Sequence, residues 1–193
     1  MGARNTEARY GAVAGALHWL IALAIFANIA LAFTFNDLMD HHSPARGGLV
    51  GLHESIGLSV LVLSLARLVW RLVNPVPALP ADMSPGMKAL AHASHYLLYA
   101  LMILVPFLGW VLASGGPHPL LYFGSFAVPK LGYIASFPKP QQRPVSHIVG
   151  GVHEWLGYVL FFLALAHVCA ALYHHFVRRD TVLKRMVPGT QAP

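Results

Sequence analysis

The sequence predicts an all-α integral membrane protein, a bundle of four transmembrane helices forming a single domain over residues 1–193. Of its 193 residues, 56% are hydrophobic and only 10% are charged, whereas about 25% of the residues of a soluble domain are charged. Four apolar segments are each long enough to cross the hydrocarbon core of a bilayer, which takes about 20 residues. The formal net charge of +6 therefore reflects segment ends at the lipid surface and does not indicate nucleic-acid binding.

Helix-breaking residues divide the chain into these four segments. Pro44 and Gly47 separate the first two, and a proline-rich stretch over residues 74–86 ends the second. Pro106 lies inside the third segment, where it predicts a kink that neighbouring helices can accommodate. The predicted helices cover about residues 11–36, 49–73, 87–114 and 146–176, with an outer loop over residues 115–145.

The distribution of lysine and arginine predicts that both termini lie in the cytoplasm, because cytoplasmic segments carry an excess of these residues. The side with the termini carries nine of them: Arg4, Arg9, Arg67, Arg71, Lys88, Arg178, Arg179, Lys184 and Arg185. The opposite side carries four: Arg46, Lys130, Lys139 and Arg143. We call the side with the termini the inner end of the bundle and the opposite side the outer end.

Histidine is frequent for so apolar a chain, with twelve residues. In the fourth segment His153 and His167 are fourteen residues apart, close to four helical turns, so both project from one face about 21 Å apart. Because successive helices alternate in direction, His18 of the first segment falls near the inner end and His53 of the second near the outer end. Depth therefore predicts two pairs, His18 with His167 and His53 with His153.

Two imidazoles facing each other across a bundle suit axial ligation of the iron of a planar macrocycle. The predicted cofactors are two haems bound without covalent attachment, since the sequence contains no CxxCH motif. His92 and His95 open the third helix at the inner end, and either could replace His18 as the inner ligand. A histidine-rich metal transporter is less favoured, because the spans carry almost no acidic residues for hydrated ions.

Further polar residues near the inner end are candidates for cofactor and quinone contacts. Arg67 and Arg71 lie one turn apart at the depth of the inner pair, where they could bind haem propionates or anchor the helix at the interface. His95 and His174 are candidates for a quinone site, because imidazole can relay a proton near pH 7. His174 follows His167 by about two turns on the same face, near the edge of the membrane.

Six stretches of the sequence resemble the bacterial cytochrome b561 family. They are LHW at 17–19, GLHESIGL at 51–58, RLVWR at 67–71, AHASHYLLYALM at 91–102, PFLGW at 106–110 and HEWLGYVLFFLALAH at 153–167. The resemblance covers nearly the whole chain. It implies a four-helix bundle in the bacterial inner membrane that holds two b-type haems, ligated at the positions of His18, His53, His153 and His167.

The best-defined activity of that family is superoxide oxidation, in which electrons pass from superoxide through haem to membrane ubiquinone and oxygen is released. The resemblance therefore implies an oxidoreductase with superoxide as donor and ubiquinone as acceptor. Lys130, Lys139 and Arg143 could form a basic outer rim that attracts the superoxide anion. The alternative interpretation of these three residues is the ordinary charge of a loop at the membrane surface.

A second functional interpretation is an electron-transfer subunit that has no small substrate of its own. Similar di-haem cytochromes anchor hydrogenases and other dehydrogenases to the quinone pool, so the loop over residues 115–145 could bind a soluble redox partner. The absence of a fifth predicted helix favours the stand-alone oxidoreductase.

Overall fold

Within residues 2–187, which the computed structural model describes, four long α-helices form the bundle. They are α1 (Ala12–Phe33), α2 (Arg46–Leu72), α3 (Pro85–Ser114) and α4 (Lys139–Tyr173). Short π-helical stretches continue α1 over Thr34–Leu38 and α4 over His174–Arg178. Each long helix is apolar and long enough to span a membrane, which confirms the predicted all-α membrane bundle.

Local sequence explains where α3 and α4 begin. Ser84 caps α3 by accepting a hydrogen bond from the backbone N–H three residues later, at 3.3 Å, and Pro85 opens the helix. Lys139 opens α4, with Pro140 in its first turn, where a proline removes no helical hydrogen bond. The prediction that this helix starts at residue 146 is therefore wrong by about two turns, and Lys139 and Arg143 are helical. The other helix limits lie within a few residues of their predicted positions.

A short structured connection at the outer end replaces most of the predicted loop over residues 115–145. Strands β1 (Leu121–Tyr122) and β2 (Phe126–Ala127) form an antiparallel hairpin, followed by a 3-10 turn over Ile134–Ser136. The hairpin is fastened to α2, because the Phe123 N–H donates to Ser55 Oγ at 2.9 Å and the Ser59 and Tyr122 hydroxyls lie 2.9 Å apart. Side chains of α2 thereby fix the outer connection over the end of the bundle.

The helices pack in sequence order, α1 on α2, α2 on α3 and α3 on α4, whereas α1 and α4 approach closely at few positions. The apolar core consists of Ile21, Ile25, Val60, Leu101, Met102, Val105 and Leu160. Other large apolar side chains face outward, with Leu23 70% and Trp155 73% exposed, as expected where lipid is the solvent. The limited contact between α1 and α4 leaves room inside the bundle for a ligand.

Described segments on both sides of the four helices meet the loop between α2 and α3. The Asn5 side-chain amide donates to the Pro75 carbonyl at 3.0 Å, and Arg178 forms an ion pair with Asp82. The N-terminal segment and the segment after α4 therefore lie at the same end of the bundle, as an even number of spans requires.

Candidate functional site

The outer pair consists of His53 on α2 and His153 on α4, with ring centres 6.1 Å apart and ring planes at 86°. Each Nδ1 lies near a backbone carbonyl oxygen: that of Asn28 is 3.1 Å from His53, and that of Val105 is 2.9 Å from His153. A carbonyl oxygen can only accept a hydrogen bond, so Nδ1 carries the proton in both rings. Both Nε2 atoms are therefore left with a lone pair that can bind a metal.

A cavity of about 660 Å³ surrounds the outer pair. Ligand pockets in proteins typically span about 300–1,000 Å³. The walls come from all four helices and are mainly apolar, and Gly57, Gly109, Gly150 and Gly157 are among the lining residues. The size and lining of this cavity, which includes His118 beside the two facing imidazoles, fit a flat and largely apolar ligand.

Gly109 on α3 allows the His153 ring to lie directly against the helix. A Cβ atom at position 109 would lie 3.0 Å from His153 Cε1 and 3.4 Å from His153 Nδ1. Carbon atoms in favourable contact are about 3.5–4.0 Å apart, so any side chain here would push the ring aside. The imidazole can therefore occupy this position only because residue 109 is a glycine, which has no side chain.

His18 on α1, His95 on α3 and His167 on α4 meet near the inner end. The ring centres of His18 and His167 are 6.2 Å apart, and those of His95 and His167 are 5.4 Å apart. His92, the other alternative ligand considered from the sequence, is exposed. The structure thus brings both His18 and His95 to His167; we call these three residues the inner cluster.

Arg67 and Arg71 of α2 border the inner cluster. Both guanidinium groups lie over the ring of Tyr99, at 5.9 and 5.7 Å from its centre. Arg67 Nη1 also donates to the carbonyl of Ala14, one helical turn before His18, at 2.8 Å. Guanidinium groups bind carboxylates strongly, so the two arginines could hold the acidic groups of a ligand beside the cluster.

The two quinone candidates occupy different positions. His95 belongs to the inner cluster, whereas His174 lies at the end of α4, where it is buried and has its Nδ1 2.5 Å from Asp180 Oδ2. Sequence reasoning missed Asp180. No local pattern could have indicated it, because the contact depends on the left-handed backbone conformation of Arg179, with φ 55°.

The three residues of the predicted basic rim differ in their surroundings. Arg143 lines a second cavity of about 640 Å³, which shares Gly150 and Glu154 with the cavity of the outer pair. Lys130 Nζ donates to a backbone carbonyl at 2.6 Å, and Lys139 is the first residue of α4. Neither lysine is among the described residues that line the two cavities. Of the three, only Arg143 is among the described residues that line the cavity next to that of the outer pair.

The distances between rings test whether a metal macrocycle fits between the histidines. A metal bonded to one nitrogen of each imidazole, at about 2 Å per bond, holds the ring centres about 6 Å apart. The separations of 6.1 Å for the outer pair and 6.2 Å for His18 and His167 match this value. The 5.4 Å between His95 and His167 is shorter. The first two pairs therefore have the spacing that axial ligation of haem iron needs.

Residues 9–189 match the protein family described as prokaryotic cytochrome b561. The chain is 31% identical over 188 residues to cytochrome b561 homolog 2 of Escherichia coli strain K12, covering 95% of this chain and 93% of that protein. It is 26% identical over 181 residues to probable superoxide oxidase CybB of Yersinia pestis, with 93% and 96% covered. It is also 31% identical over 175 residues to cytochrome b562 of Cereibacter sphaeroides, with 89% and 90% covered. The chain therefore belongs to the prokaryotic cytochrome b561 family, as a multi-pass electron-transfer protein of the bacterial inner membrane that binds b-type haem.

Proposed function

We propose that the protein is a di-haem oxidoreductase that oxidises superoxide at the outer end and reduces ubiquinone at the inner end. The observation that carries the proposal is the pair of ring separations, 6.1 and 6.2 Å, at two depths of the bundle. His53 and His153 hold one haem, and His18 and His167 hold the other. Bound haem would supply a one-electron carrier, and iron held by two imidazoles would have no open position for oxygen. This ligand set favours electron transfer over oxygen binding.

The reaction balances as two superoxide ions for each ubiquinone. Each superoxide gives up one electron and leaves as oxygen, and two electrons with two protons convert ubiquinone to ubiquinol. At the inner end, Arg67 and Arg71 bind the haem propionates, and His95 and His174 are the candidates for contact with the quinone. The relative named probable superoxide oxidase supports superoxide as the electron donor.

A second candidate function is an electron-transfer cytochrome that accepts electrons from a soluble partner. The observation in its favour is the outer connection, where the aromatic side chains of Phe123, Phe126 and Tyr133 are exposed. Aromatic residues are enriched both in protein interfaces and at the lipid headgroups, so this surface suits a docked partner as well as the membrane interface. The relatives named as cytochromes b561 and b562 are compatible with either function.

Stopped-flow mixing of the oxidised, purified protein with superoxide separates the two candidates. In a superoxide oxidase, the haem absorbance changes rapidly to that of the reduced form when ubiquinone is absent. With ubiquinone present, the haem returns to the oxidised form as ubiquinol accumulates. A protein that contains both haems and stays oxidised in superoxide would instead be an electron-transfer subunit.

The proposed basic rim attracts superoxide, and Arg143 should contribute most because it lines the cavity beside the outer pair. We expect Arg143→Glu to lower the second-order rate of haem reduction by about tenfold at low ionic strength, since charged clefts raise encounter rates by about 10–1,000-fold. The difference should shrink as salt screens the charges.

The matched control for Arg143→Glu is Lys139→Glu, which makes the same charge change on the same helix. It should have a smaller effect, because Lys139 is not among the described residues that line either cavity. Equal slowing in the two variants would assign the attraction to the net charge of the outer end rather than to Arg143.

Gly109→Ala should weaken haem binding at the outer pair, because the added methyl group displaces the ring of His153. Gly151→Ala on α4 is the control, since a Cβ there meets no described atom within 4 Å beyond its chain neighbours and the adjacent backbone of its own helix. The measurement is the amount of haem per protein after purification, together with the absorbance spectrum. Equal haem content in the two variants would show that His153 can bind haem from a shifted position.

A further inference from the structure

The chain reverses direction after α4 and brings a carboxylate onto His174. After the π-helical stretch His174–Arg178, Arg179 adopts a left-handed backbone conformation with φ 55° and ψ 31°. Residues other than glycine adopt this conformation rarely, and such residues cluster at functional sites. The reversal leaves the Asp180 N–H 3.1 Å from the His174 carbonyl oxygen and its side chain beside the imidazole.

The carboxylate of Asp180 is held through both of its oxygens. Oδ2 lies 2.5 Å from His174 Nδ1, and the His174 and Asp180 side chains are only 11% and 16% exposed. Oδ1 accepts a hydrogen bond from the Val182 N–H at 3.0 Å, and Arg178 Nε lies 3.4 Å from Oδ2. The orientation of the carboxylate is therefore set by groups that belong to the turn itself.

These contacts keep Asp180 ionised. Burial alone would raise the pKa of Asp180, but the hydrogen bonds from His174 and the Val182 N–H, with the nearby charges of His174 and Arg178, hold the pKa below its usual value. An ionised carboxylate only accepts hydrogen bonds, so His174 Nδ1 carries a proton. Nε2 is then the ring atom left to contact a ligand.

His174 lies between the inner cluster and the aqueous surface. It follows His167 by seven residues, which is about two helical turns or 10 Å along α4. The neighbouring side chains of Leu172, Tyr173 and Phe176 are exposed on the outside of the bundle. This end of α4 is therefore accessible from the bilayer, which is where a lipid-soluble quinone would arrive.

We propose that Asp180 is a positioning residue for quinone reduction, which holds the His174 ring by Nδ1 so that Nε2 donates a proton to ubiquinone. The inference rests on the proposed reduction of ubiquinone at the inner end. Two superoxide ions supply the two electrons, and the inner aqueous phase supplies the two protons of ubiquinol. For this step the His174 ring carries a proton on both nitrogens: it gives the Nε2 proton to ubiquinone, keeps the Nδ1 proton on the hydrogen bond to Asp180, and takes up a new Nε2 proton from the aqueous surface, where Arg178 pairs with the exposed Asp82.

The test compares Asp180→Asn with Asp82→Asn in the haem-loaded protein. Asp180→Asn should lower kcat for a short-chain ubiquinone by about tenfold, a part of the 10²–10⁴-fold that general acid–base catalysis contributes, and change KM by less than about twofold. Haem content and superoxide-driven haem reduction without quinone should not change. Asp82→Asn makes the same chemical change in a residue whose described ion pair is with Arg178, and it should keep the wild-type kcat.

Two further variants separate positioning from a structural role. Asp180→Glu should recover part of the lost kcat, because it restores a carboxylate that can accept a hydrogen bond from His174 Nδ1. His174→Gln should lower kcat as well, and adding Asp180→Asn to it should have little further effect. An unchanged kcat in Asp180→Asn, or equal losses in Asp180→Asn and Asp82→Asn, would overturn the positioning role.

Anaerobic reduction of the haems by a short-chain ubiquinol tests the inference without superoxide. The Asp180→Asn variant should again be slower than Asp82→Asn in this reverse reaction. A wild-type protein that ubiquinol reduces and superoxide does not would contradict the proposed donor while supporting quinone chemistry at the inner end. A haem-loaded wild-type protein that ubiquinol does not reduce would contradict both the proposed acceptor and the role of Asp180.

Discussion

Replacing His53 or His153 with alanine should remove the outer haem and leave the inner one, so that the purified protein holds about one haem in place of about two. Each variant deletes one of the two imidazoles that face each other at 6.1 Å. The surrounding cavity is mainly apolar, and His118 is the one further histidine among its described lining residues. The rate at which superoxide reduces the remaining haem should fall on the order of 100-fold or more. This exceeds the 10–100-fold loss that is typical when a residue hydrogen-bonded to a metal ligand is removed.

Haem content and a redox titration measure this outcome: we expect two steps in the titration of the wild type and a single step in each variant. His147→Ala is the control, because His147 is an exposed histidine on the same helix, six residues before His153. It should retain both haems. Retention of both haems by His53→Ala and His153→Ala would mean that the iron ligands at the outer end lie elsewhere.

His18→Ala should remove the inner haem, whereas His95→Ala should leave it bound. The two histidines both lie beside His167, but only the 6.2 Å separation of His18 and His167 matches that of the outer pair. A metal between His95 and His167 would have to push the two rings apart. If His95 instead contacts the quinone, His95→Ala should keep its haem spectrum and lose ubiquinone reduction.

The comparison of haem spectra distinguishes the two inner histidines directly. His92→Ala is the matched control, because His92 precedes His95 by one turn on α3 and is exposed; it should behave as the wild type. Loss of the inner haem in His95→Ala with its retention in His18→Ala would assign the inner ligands to His95 and His167.

The fold could be predicted because transmembrane helices are specified by local properties of the chain. Length, apolar composition and breaker residues located all four spans, and the main error was the start of α4. The sequence from Pro138 to Pro144 suggests a loop, yet α4 begins at Lys139 with Pro140 in its first turn. Proline is accepted there because the first N–H groups of a helix have no helical partner. Hydropathy alone could not indicate this polar first part of the helix.

The depth of each histidine could also be predicted from local properties of the chain. The side chains that surround it in the folded bundle could not. A fixed rise of about 1.5 Å per residue and alternating helix directions were enough to match His53 with His153 at the outer end. The same reasoning could not say whether His18 or His95 faces His167, because the rotation and approach of each helix depend on packing with remote residues. The contact between the His153 ring and Gly109 also depends on the rotation and approach of the helices that carry them.

The sequence by itself therefore determined a four-span membrane bundle, the depth of its histidines and the family resemblance. The tertiary structure alone decided which rings come together, the tautomers fixed by the carbonyls of Asn28 and Val105, and the contact of Asp180 with His174. The physical reason is that helix formation and rise are set by neighbours along the chain. Contacts across the bundle are set by side chains and turns far apart in sequence, whose combined packing no local pattern contains.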